Sequence, residues 1–261
     1  MKRLPRWLMA ATLVFSVVAL LSPAPLAANV KIGKAEHYNP QTDPVDFVDS
    51  NGDPLPITNQ YLPLVPGTKF FYTSETQDGI ETDEVFVTHE TKVIQGVTCV
   101  VVLDTVKLEG VLTELTLDWY AQDAAGNVWY FGEDSTQYEN GVPAGTEGSW
   151  EAGVDGALPG IVMPADPRPG DSYRQEYYEG EAEDMASVMR LNAKASVPYG
   201  AFDGCLETKE WSPLEPGTVE NKVYAAGAGL VLVVEHHGKA VRQELVDITT
   251  GQVRRTAWGG V

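Results

Sequence analysis

Positive charge is scarce in this chain. Only 18 lysines and arginines stand against 37 aspartates and glutamates in 261 residues. Three of the basic residues, Lys2, Arg3 and Arg6, lie at the N-terminus, and the chain beyond them carries 15 basic and 37 acidic residues. Because so acidic a surface repels polyanions, nucleic acid and an anionic membrane face are excluded as partners. The acidity fits either solubility in an export compartment or acceptance of cations or a basic partner.

Long apolar runs are also scarce. The run at residues 7–21 contains 15 residues, fewer than the roughly 20 that cross a bilayer. It follows basic residues and precedes the small residues at 24–28, so residues 1–28 are predicted to be a secretory signal peptide. No cysteine follows the run closely, which excludes lipid attachment at a new N-terminal cysteine. We therefore expect an exported protein, periplasmic or extracellular, with no transmembrane segment in its mature part.

Cysteine and histidine are few, at two and four copies. No Cys/His spacing typical of zinc is present, and the adjacent His236 and His237 would point to opposite faces of a strand. The Gly-x-Ser-x-Gly elbow of hydrolases is absent, and Ser149 lacks its flanking pattern. Carboxylate pairs are too abundant in an acidic chain to indicate glycoside cleavage. The sequence favours a non-enzymatic protein over an enzyme.

Landmarks in residues 62–131 recur in the same order about a hundred positions later, which predicts an internal duplication. Pro66-Gly67, Tyr120-Ala121 and Cys99 are matched at offsets of 103, 104 and 106 by Pro169-Gly170, Tyr224-Ala225 and Cys205. After an irregular acidic arm at 29–60, we expect a single β-rich domain at 61–261. It contains half one at 61–138, a connection at 139–161 and half two at 162–261.

The two cysteines occupy corresponding places in these halves. In an oxidising export compartment, Cys99 and Cys205 could form a disulfide if a pseudo-twofold relation brings them together. The alternative is two buried free thiols in separate strands. The sequence leaves both open and slightly favours the bridge.

Short alternating or β-branched segments predict strands in both halves. In half one they are 82–89, 97–103, 115–120 and 128–131, and in half two 172–178, 193–197, 205–211, 219–224, 230–235 and 241–247. One helix is predicted at Glu181 to Leu191, where acids precede an apolar stripe. The predicted fold class is all-β and mainly antiparallel. It is a curled sheet, half-barrel or barrel-like, built from two similar halves with one short helix.

Two sets of side chains are candidate sites. The aromatic residues Trp119, Tyr120, Trp129, Tyr130, Phe131 and Trp150 could line a concavity for an apolar or sugar-like ligand, or they could fill the core. Asp49, Asn51 and Asp53 have the alternate spacing with which a loop wraps Ca²⁺, although the same composition is common in turns. No other cofactor is predicted.

The stretch NQYLPLVPGTKFFY at residues 59–72 resembles the opening of an uncharacterised family of exported bacterial proteins. Members of that family begin their domain with Asn-Pro-Tyr-(Phe/Leu)-Pro-Leu-x-Pro-Gly-Thr and an aromatic strand. The resemblance continues through 96–99, 118–123, 126–133 and 148–153. Gln60 stands where the family usually has proline, and the acidic insertion before Asn59 is longer. The resemblance implies export and a β-rich domain, and it implies no activity.

The leading functional hypothesis is an exported, non-enzymatic β protein that binds an apolar or other small ligand in an aromatic-lined concavity. The alternative is a calcium-stabilised interaction protein of the cell envelope that uses its acidic loops. The partner is accordingly a small ligand or an envelope protein.

Overall fold

The computed structural model describes residues 38–236 and 240–251, so the predicted signal peptide lies outside it. Its regular elements are one turn of 3₁₀ helix, Pro44–Phe47, and fifteen strands. In chain order these are β1 Thr68–Glu75, β2 Ile80–Ile94, β3 Val97–Leu108, β4 Val111–Gln122, β5 Val128–Glu139, β6 Val142–Gly145, β7 Trp150–Glu151, β8 Leu158–Met163, β9 Ser172–Arg174, β10 Glu176–Tyr177, β11 Met185–Val197, β12 Gly200–Trp211, β13 Glu220–Ala225, β14 Gly229–Glu235 and β15 Val241–Thr250. Every strand pairing is antiparallel, which confirms the predicted all-β class.

The strands form one sheet that curls until its ends nearly meet. The order is β10-β8-β5-β4-β3-β2-β1-β15-β14-β13-β12-β11-β9, and β6 and β7 also pair with β5. The two outermost strands, β9 and β10, are separated in the chain only by Gln175. β9 pairs with β11, whereas β10 pairs with β8, so residues 172–177 join the two ends of the sheet. The architecture is therefore barrel-like.

Close backbone packing marks this junction. A Cβ atom at Gly160 of β8 would lie 2.3 Å from the backbone carbonyl carbon of Gln175. Only glycine, which has no Cβ atom, leaves room at position 160 for the backbone of Gln175. The predicted strand at 172–178 is thus present as two short strands, and the predicted connection supplies β6, β7 and most of β8.

The strands bury one face inside the curled sheet. On β2 the buried residues Glu81, Asp83, Val85 and Val87 alternate with more exposed neighbours. Successive side chains of a strand point to opposite faces, so these four share the inner face. The strand predicted at 82–89 lies within β2.

The chain before β1 packs against the sheet. Asn59 Nδ2 donates hydrogen bonds to the carbonyl oxygens of Gly126 and Pro164, at 2.9 Å and 3.1 Å. Phe47 packs edge-on against the rings of Trp129 and Phe131. The arm predicted to be irregular is, from residue 38 onward, an ordered cover on this part of the molecule.

The predicted helix at Glu181 to Leu191 is wrong. Residues from Met185 onward form β11, in which Ala186 and Val188 are buried with the two-residue period of a strand. Met185, Ala186 and Ser187 pair with β12 on one side and with β9 on the other. Because the local pattern is short, these ladder hydrogen bonds outweigh its weak helical preference.

The predicted disulfide is also wrong in the structure, where Cys99 and Cys205 are both free and buried. Cys99 lies on β3 and Cys205 on β12, six positions apart in the order of the sheet. In a curled sheet, corresponding strands of two halves lie on different sides, so they do not approach each other. Burial raises the pKa of Cys99 to about 12, which keeps that thiol protonated.

The order of pairing repeats along the sheet. Strands β1 to β5 are joined in sequence and β5 then pairs with β8, while β9 is followed by β11 to β14 and β14 pairs with β15. Tyr120 pairs with Val100 between β4 and β3, as Leu206 pairs with Tyr224 between β12 and β13. A duplication would produce this repeat, and common descent of the two halves stays a prediction.

Candidate functional site

Carboxyl groups are concentrated inside the curled sheet. In the part of the chain that the structure describes, ten acidic side chains are buried and only one basic side chain, Lys222, is buried with them. We call the ten the inner acidic cluster: Glu81, Asp83, Asp104, Glu114, Asp118, Glu133, Glu176, Asp184, Glu210 and Glu220. A buried carboxylate without compensation is costly. The cluster must therefore hold protons, hydrogen bonds or cations.

Strand register places the first-half acids side by side. Val85 of β2 pairs with Asp104 of β3, which puts Asp83, two residues away, diagonally next to Asp104. Asp104 in turn pairs with Thr116 of β4, and Asp118 follows two residues later on the same face. Diagonal neighbours on one face are within reach of each other. Three adjacent strands thus bring three aspartates together.

Asp83 and Asp104 form a carboxyl pair. Asp83 Oδ2 accepts a hydrogen bond from Gln243 Nε2 at 2.7 Å. Asp83 Oδ1 and both oxygens of Asp104 have no hydrogen-bond partner among the described residues. Three of the four oxygens of these neighbouring buried carboxyl groups are therefore without a hydrogen bond.

Burial dominates the acid–base behaviour of this pair. It raises the pKa of Asp83 to about 7, and the charges of Glu81 and Glu114 push it in the same direction. The pKa of Asp104 is raised well above its ordinary value by burial and then by the charge of Asp83. Burial, followed by the charges of Glu114 and Glu235, also raises the pKa of Glu81 to about 7. These groups can exchange protons near neutral pH.

Glu81 and Glu114 are slightly more exposed than the aspartate pair beside them. They retain 6% and 7% of their exposure, compared with 1% for Asp104. Glu81 pairs with Leu108 at the end of β3, and Glu109 in the next turn accepts a hydrogen bond from the backbone N–H of Ile80. Glu81 therefore lies next to the exposed turn that joins β3 to β4.

Aromatic side chains support the deeper acids. The hydroxyl of Tyr130 lies 2.7 Å from Asp118 Oδ1 and 3.2 Å from Glu133 Oε2. The indole N–H of Trp150 donates to Glu176 Oε2 at 3.0 Å. Despite these hydrogen bonds, burial holds the pKa of Asp118 and of Glu176 well above the ordinary value.

The second half contains an ammonium group among its acids. Lys222 Nζ lies 2.9 Å from Glu210 Oε2 and 3.5 Å from Glu220 Oε2, and Thr208 and Tyr224 also hydrogen-bond to Glu210. Burial lowers the pKa of Lys222, but the charges of Glu210 and Glu220 outweigh burial and raise it overall. Lys222 is therefore a fully charged, buried cation.

The structure divides the predicted aromatic set between two faces. Tyr120, Tyr130 and Trp150 pack against one another, with Tyr120 and Tyr130 stacked at 4.8 Å between ring centroids. The others pack elsewhere: Trp129 and Phe131 contact Phe47, and the Trp119 ring lies under Lys92 Nζ at 3.2 Å from its centroid.

Five of the six aromatic residues are buried, and Trp129 is half-buried. An outer groove of about 360 Å³, lined by residues such as Lys69, Phe86 and His89, contains none of them. They fill core space, and a ligand-binding role for them stays a prediction.

The predicted calcium loop folds onto itself. Asp49 Oδ1 accepts hydrogen bonds from the backbone N–H groups of Asn51 and Asp53, and Asp49 Oδ2 accepts one from Asn51 Nδ2. These hydrogen bonds lower the pKa of Asp49 and form an ordinary Asx turn. Within residues 38–236 and 240–251, no group of three or more His, Cys, Asp or Glu side chains is arranged to hold a metal ion. Calcium binding stays a prediction.

Sequence reasoning missed the inner acidic cluster. Its signal is an acid at every second position next to β-branched residues, as in Glu81-Thr-Asp83-Glu-Val85 and Val102-Leu-Asp104-Thr-Val106. Carboxylates are almost never fully buried, so such acids are ordinarily assigned to the solvent face. Strand register was needed to place them inside.

The fold and the site define an all-β protein with a barrel-like sheet around buried acids. In the described residues, no helix has the length and apolar character needed to cross a membrane. No family model matches the chain, and no curated protein matches it either.

Three solved structures resemble the chain at a distance. A protein of Bacteroides fragilis, described as exported with a YmcC-like fold, is 16% identical, and the match covers 73% of this chain and 99% of that one at a TM-score of 0.40. A protein of Parabacteroides distasonis described as a lipoprotein is 12% identical, over 72% and 98%, with a TM-score of 0.39. A beta-barrel-like protein of Brucella abortus with a domain of unknown function is 10% identical, over 71% and 98%, with a TM-score of 0.38.

Proposed function

We propose that this protein is an exported, non-enzymatic binding protein that takes up a small ligand at the inner acidic cluster. The observation that carries the proposal is the state of the Asp83–Asp104 pair. Both side chains are buried, and Asp83 Oδ1 and both oxygens of Asp104 receive no hydrogen bond from an N–H group.

Such a pair destabilises the folded core. Leaving a buried polar group unsatisfied costs about 1 to 3 kcal/mol, and more for a charged one. A carboxyl pair of this kind persists where it serves a function, and local violations of folding rules concentrate at functional sites. A ligand with hydrogen-bond donors would satisfy the unused carboxyl oxygens.

The non-enzymatic part of the proposal follows the sequence, which contains no Gly-x-Ser-x-Gly elbow and no zinc-type Cys/His spacing. Export is supported by the predicted signal peptide at residues 1–28. The position of the ligand differs from the aromatic concavity expected from sequence, because the aromatic residues fill core space.

Native mass spectrometry of protein purified from its own host tests the proposal. We expect a non-covalent adduct of small mass that is lost on denaturation. The matched control is the Asp104→Asn variant purified in the same way, which should carry less of the adduct. Protein that arrives without any adduct, and whose melting temperature no small-molecule extract of the host raises, would contradict a binding function.

A further inference from the structure

We propose that the first half binds a primary ammonium group of a small, unbranched organic amine between Asp104, Asp83 and Glu114. The inference rests on the proposed binding function and gives the ligand a chemical class. The second half of the same chain already shows how the sheet binds such a group, because its Lys222 side chain ends in an ammonium.

Strand register makes the two halves comparable residue by residue. Tyr120, which pairs with Val100 in half one, corresponds to Tyr224, which pairs with Leu206 in half two. The residue two positions before each tyrosine is Asp118 in half one and Lys222 in half two. The partners across the strand pair are equally matched: Asp104 is four residues beyond Val100, and Glu210 is four beyond Leu206.

The same correspondence extends to the preceding strand. Asp83 lies two residues before Val85, which pairs with Asp104, and Asp184 lies two residues before Ala186, which pairs with Glu210. Half two thus holds two acids and a lysine at positions where half one holds three aspartates. Half one keeps acids at the positions of Asp184 and Glu210 and lacks the ammonium, while the counterpart of Glu220 is Thr116.

Half two places one ammonium group among three acids. Lys222 Nζ is within 2.9 Å of Glu210 and 3.5 Å of Glu220, and Glu210, Glu220 and Asp184 are the acids whose charges raise the pKa of Lys222. The ammonium of Lys222 is therefore held by acids of half two.

Half one has no such cation among the described residues, since Lys222 is the only buried basic side chain there. Asp104 instead faces the like charges of Asp83, Glu114 and Glu81. An ammonium group would donate hydrogen bonds to both oxygens of Asp104 and to Asp83 Oδ1, which have no hydrogen-bond partner among the described residues.

The chemical class follows from the ligand set. A hard metal ion needs several oxygens arranged around one point, and the described residues contain no such group. A primary ammonium group needs only two or three acceptors. It is also small enough to reach a buried site at the end of an alkyl chain, as Lys222 Nζ does. Glu81 and Glu114, which are slightly more exposed than Asp104, add negative charge that attracts a cation to the cluster.

Binding should be coupled to proton release. The pKa of Asp83 and that of Glu81 are raised to about 7, and an incoming positive charge favours the ionised form of both. The amine therefore replaces protons already held by the cluster, and its affinity should rise as the pH is raised from 6 toward 8.

Isothermal titration calorimetry of the mature protein with n-butylammonium chloride tests the inference. At pH 8 we expect saturable binding, with heats that depend on the ionisation enthalpy of the buffer because protons are released. Asp104→Asn should weaken binding at least about tenfold, since it removes a charge-assisted acceptor. Asp203→Asn is the matched control, because Asp203 is exposed in its pair with Lys194, and should leave the dissociation constant within about twofold.

Two comparison ligands separate the outcomes. Tetramethylammonium carries charge without N–H donors and should bind far more weakly, whereas calcium should not compete with n-butylammonium. Absence of saturable binding by wild type, equal binding by Asp104→Asn, or calcium binding in place of the amine would each overturn the inference. If the amine fails while a neutral adduct is found in host-purified protein, the binding function stands and only its ligand class is wrong.

Discussion

Replacing Asp104 by asparagine should stabilise the protein at alkaline pH. Asp104 is buried beside Asp83, and burial and then the charge of Asp83 raise its pKa well above the ordinary value. An amide at position 104 has nearly the same shape and a permanent N–H donor. The variant therefore has no carboxyl group at position 104 that must hold a proton in the folded state.

The size of the effect follows from proton linkage. Because the pKa of Asp83 is higher in the folded than in the unfolded chain, the folded state binds more protons between the two values, and stability falls as pH rises through that window. With folded and unfolded values of about 7 and 3.8, this one group lowers the free energy of unfolding by about 2 to 3 kcal/mol between pH 5 and pH 8. Asp104 acts in the same direction, because burial and then the charge of Asp83 raise its pKa well above the ordinary value. The Asp104→Asn variant should remove the contribution of Asp104.

Urea unfolding at pH 5 and pH 8 measures the prediction. We expect Asp104→Asn to exceed the stability of wild type by about 1 to 3 kcal/mol at pH 8 and by less at pH 5. The control is Asp78→Asn in the exposed turn after β1, which should change stability by no more than about 0.5 kcal/mol at either pH. A variant that is less stable than wild type at pH 8, or that keeps the wild-type pH slope, would refute a raised pKa of Asp104.

Three other substitutions test packing and charge, each measured by chemical or thermal unfolding. Lys222→Met leaves Glu210 and Glu220 buried without a cation and should lower the free energy of unfolding by roughly 3 to 5 kcal/mol at pH 8 and by less at pH 5. The control Lys194→Met changes an exposed lysine and should cost under about 1 kcal/mol. Equal losses of stability in the two variants would contradict a buried ion pair. Trp119→Ala should cost roughly 3 to 5 kcal/mol because the ring is buried, and an unchanged melting temperature would place it at the surface. Gly160→Ala should destabilise strongly, since its Cβ would meet Gln175, while Gly200→Ala, whose Cβ would have no neighbour nearer than 4.0 Å, should be tolerated; similar melting temperatures would argue against tight packing at the junction.

Strands were the part of the fold that sequence could predict. The predicted segments 82–89, 97–103, 115–120 and 128–131 lie within β2, β3, β4 and β5, because alternating or β-branched residues are typical of strands that bury a face in the core. The helix prediction at Glu181 to Leu191 failed because local preference cannot register the hydrogen bonds that β9 and β12 offer to β11.

The candidate site was much harder to predict. Whether Asp104 faces solvent or the interior depends on how a sheet of thirteen successive strands curls, which no local pattern encodes. The cysteine prediction failed for a related reason. Equivalence in a repeat brings residues together only if the halves meet at that point, and Cys99 and Cys205 lie on strands that are far apart around the sheet.

The short segment at residues 172–177 has a consequence for folding and for association between molecules. Since its two strands cap both ends of the sheet, few unpaired backbone groups are left there to recruit a strand from another molecule. This closure joins β8 to β11, so it needs the rest of the sheet already in place and should be among the last contacts to form during folding. Until this closure forms, both edges of the sheet expose unpaired backbone groups. A slow closure would therefore give the chain time to aggregate.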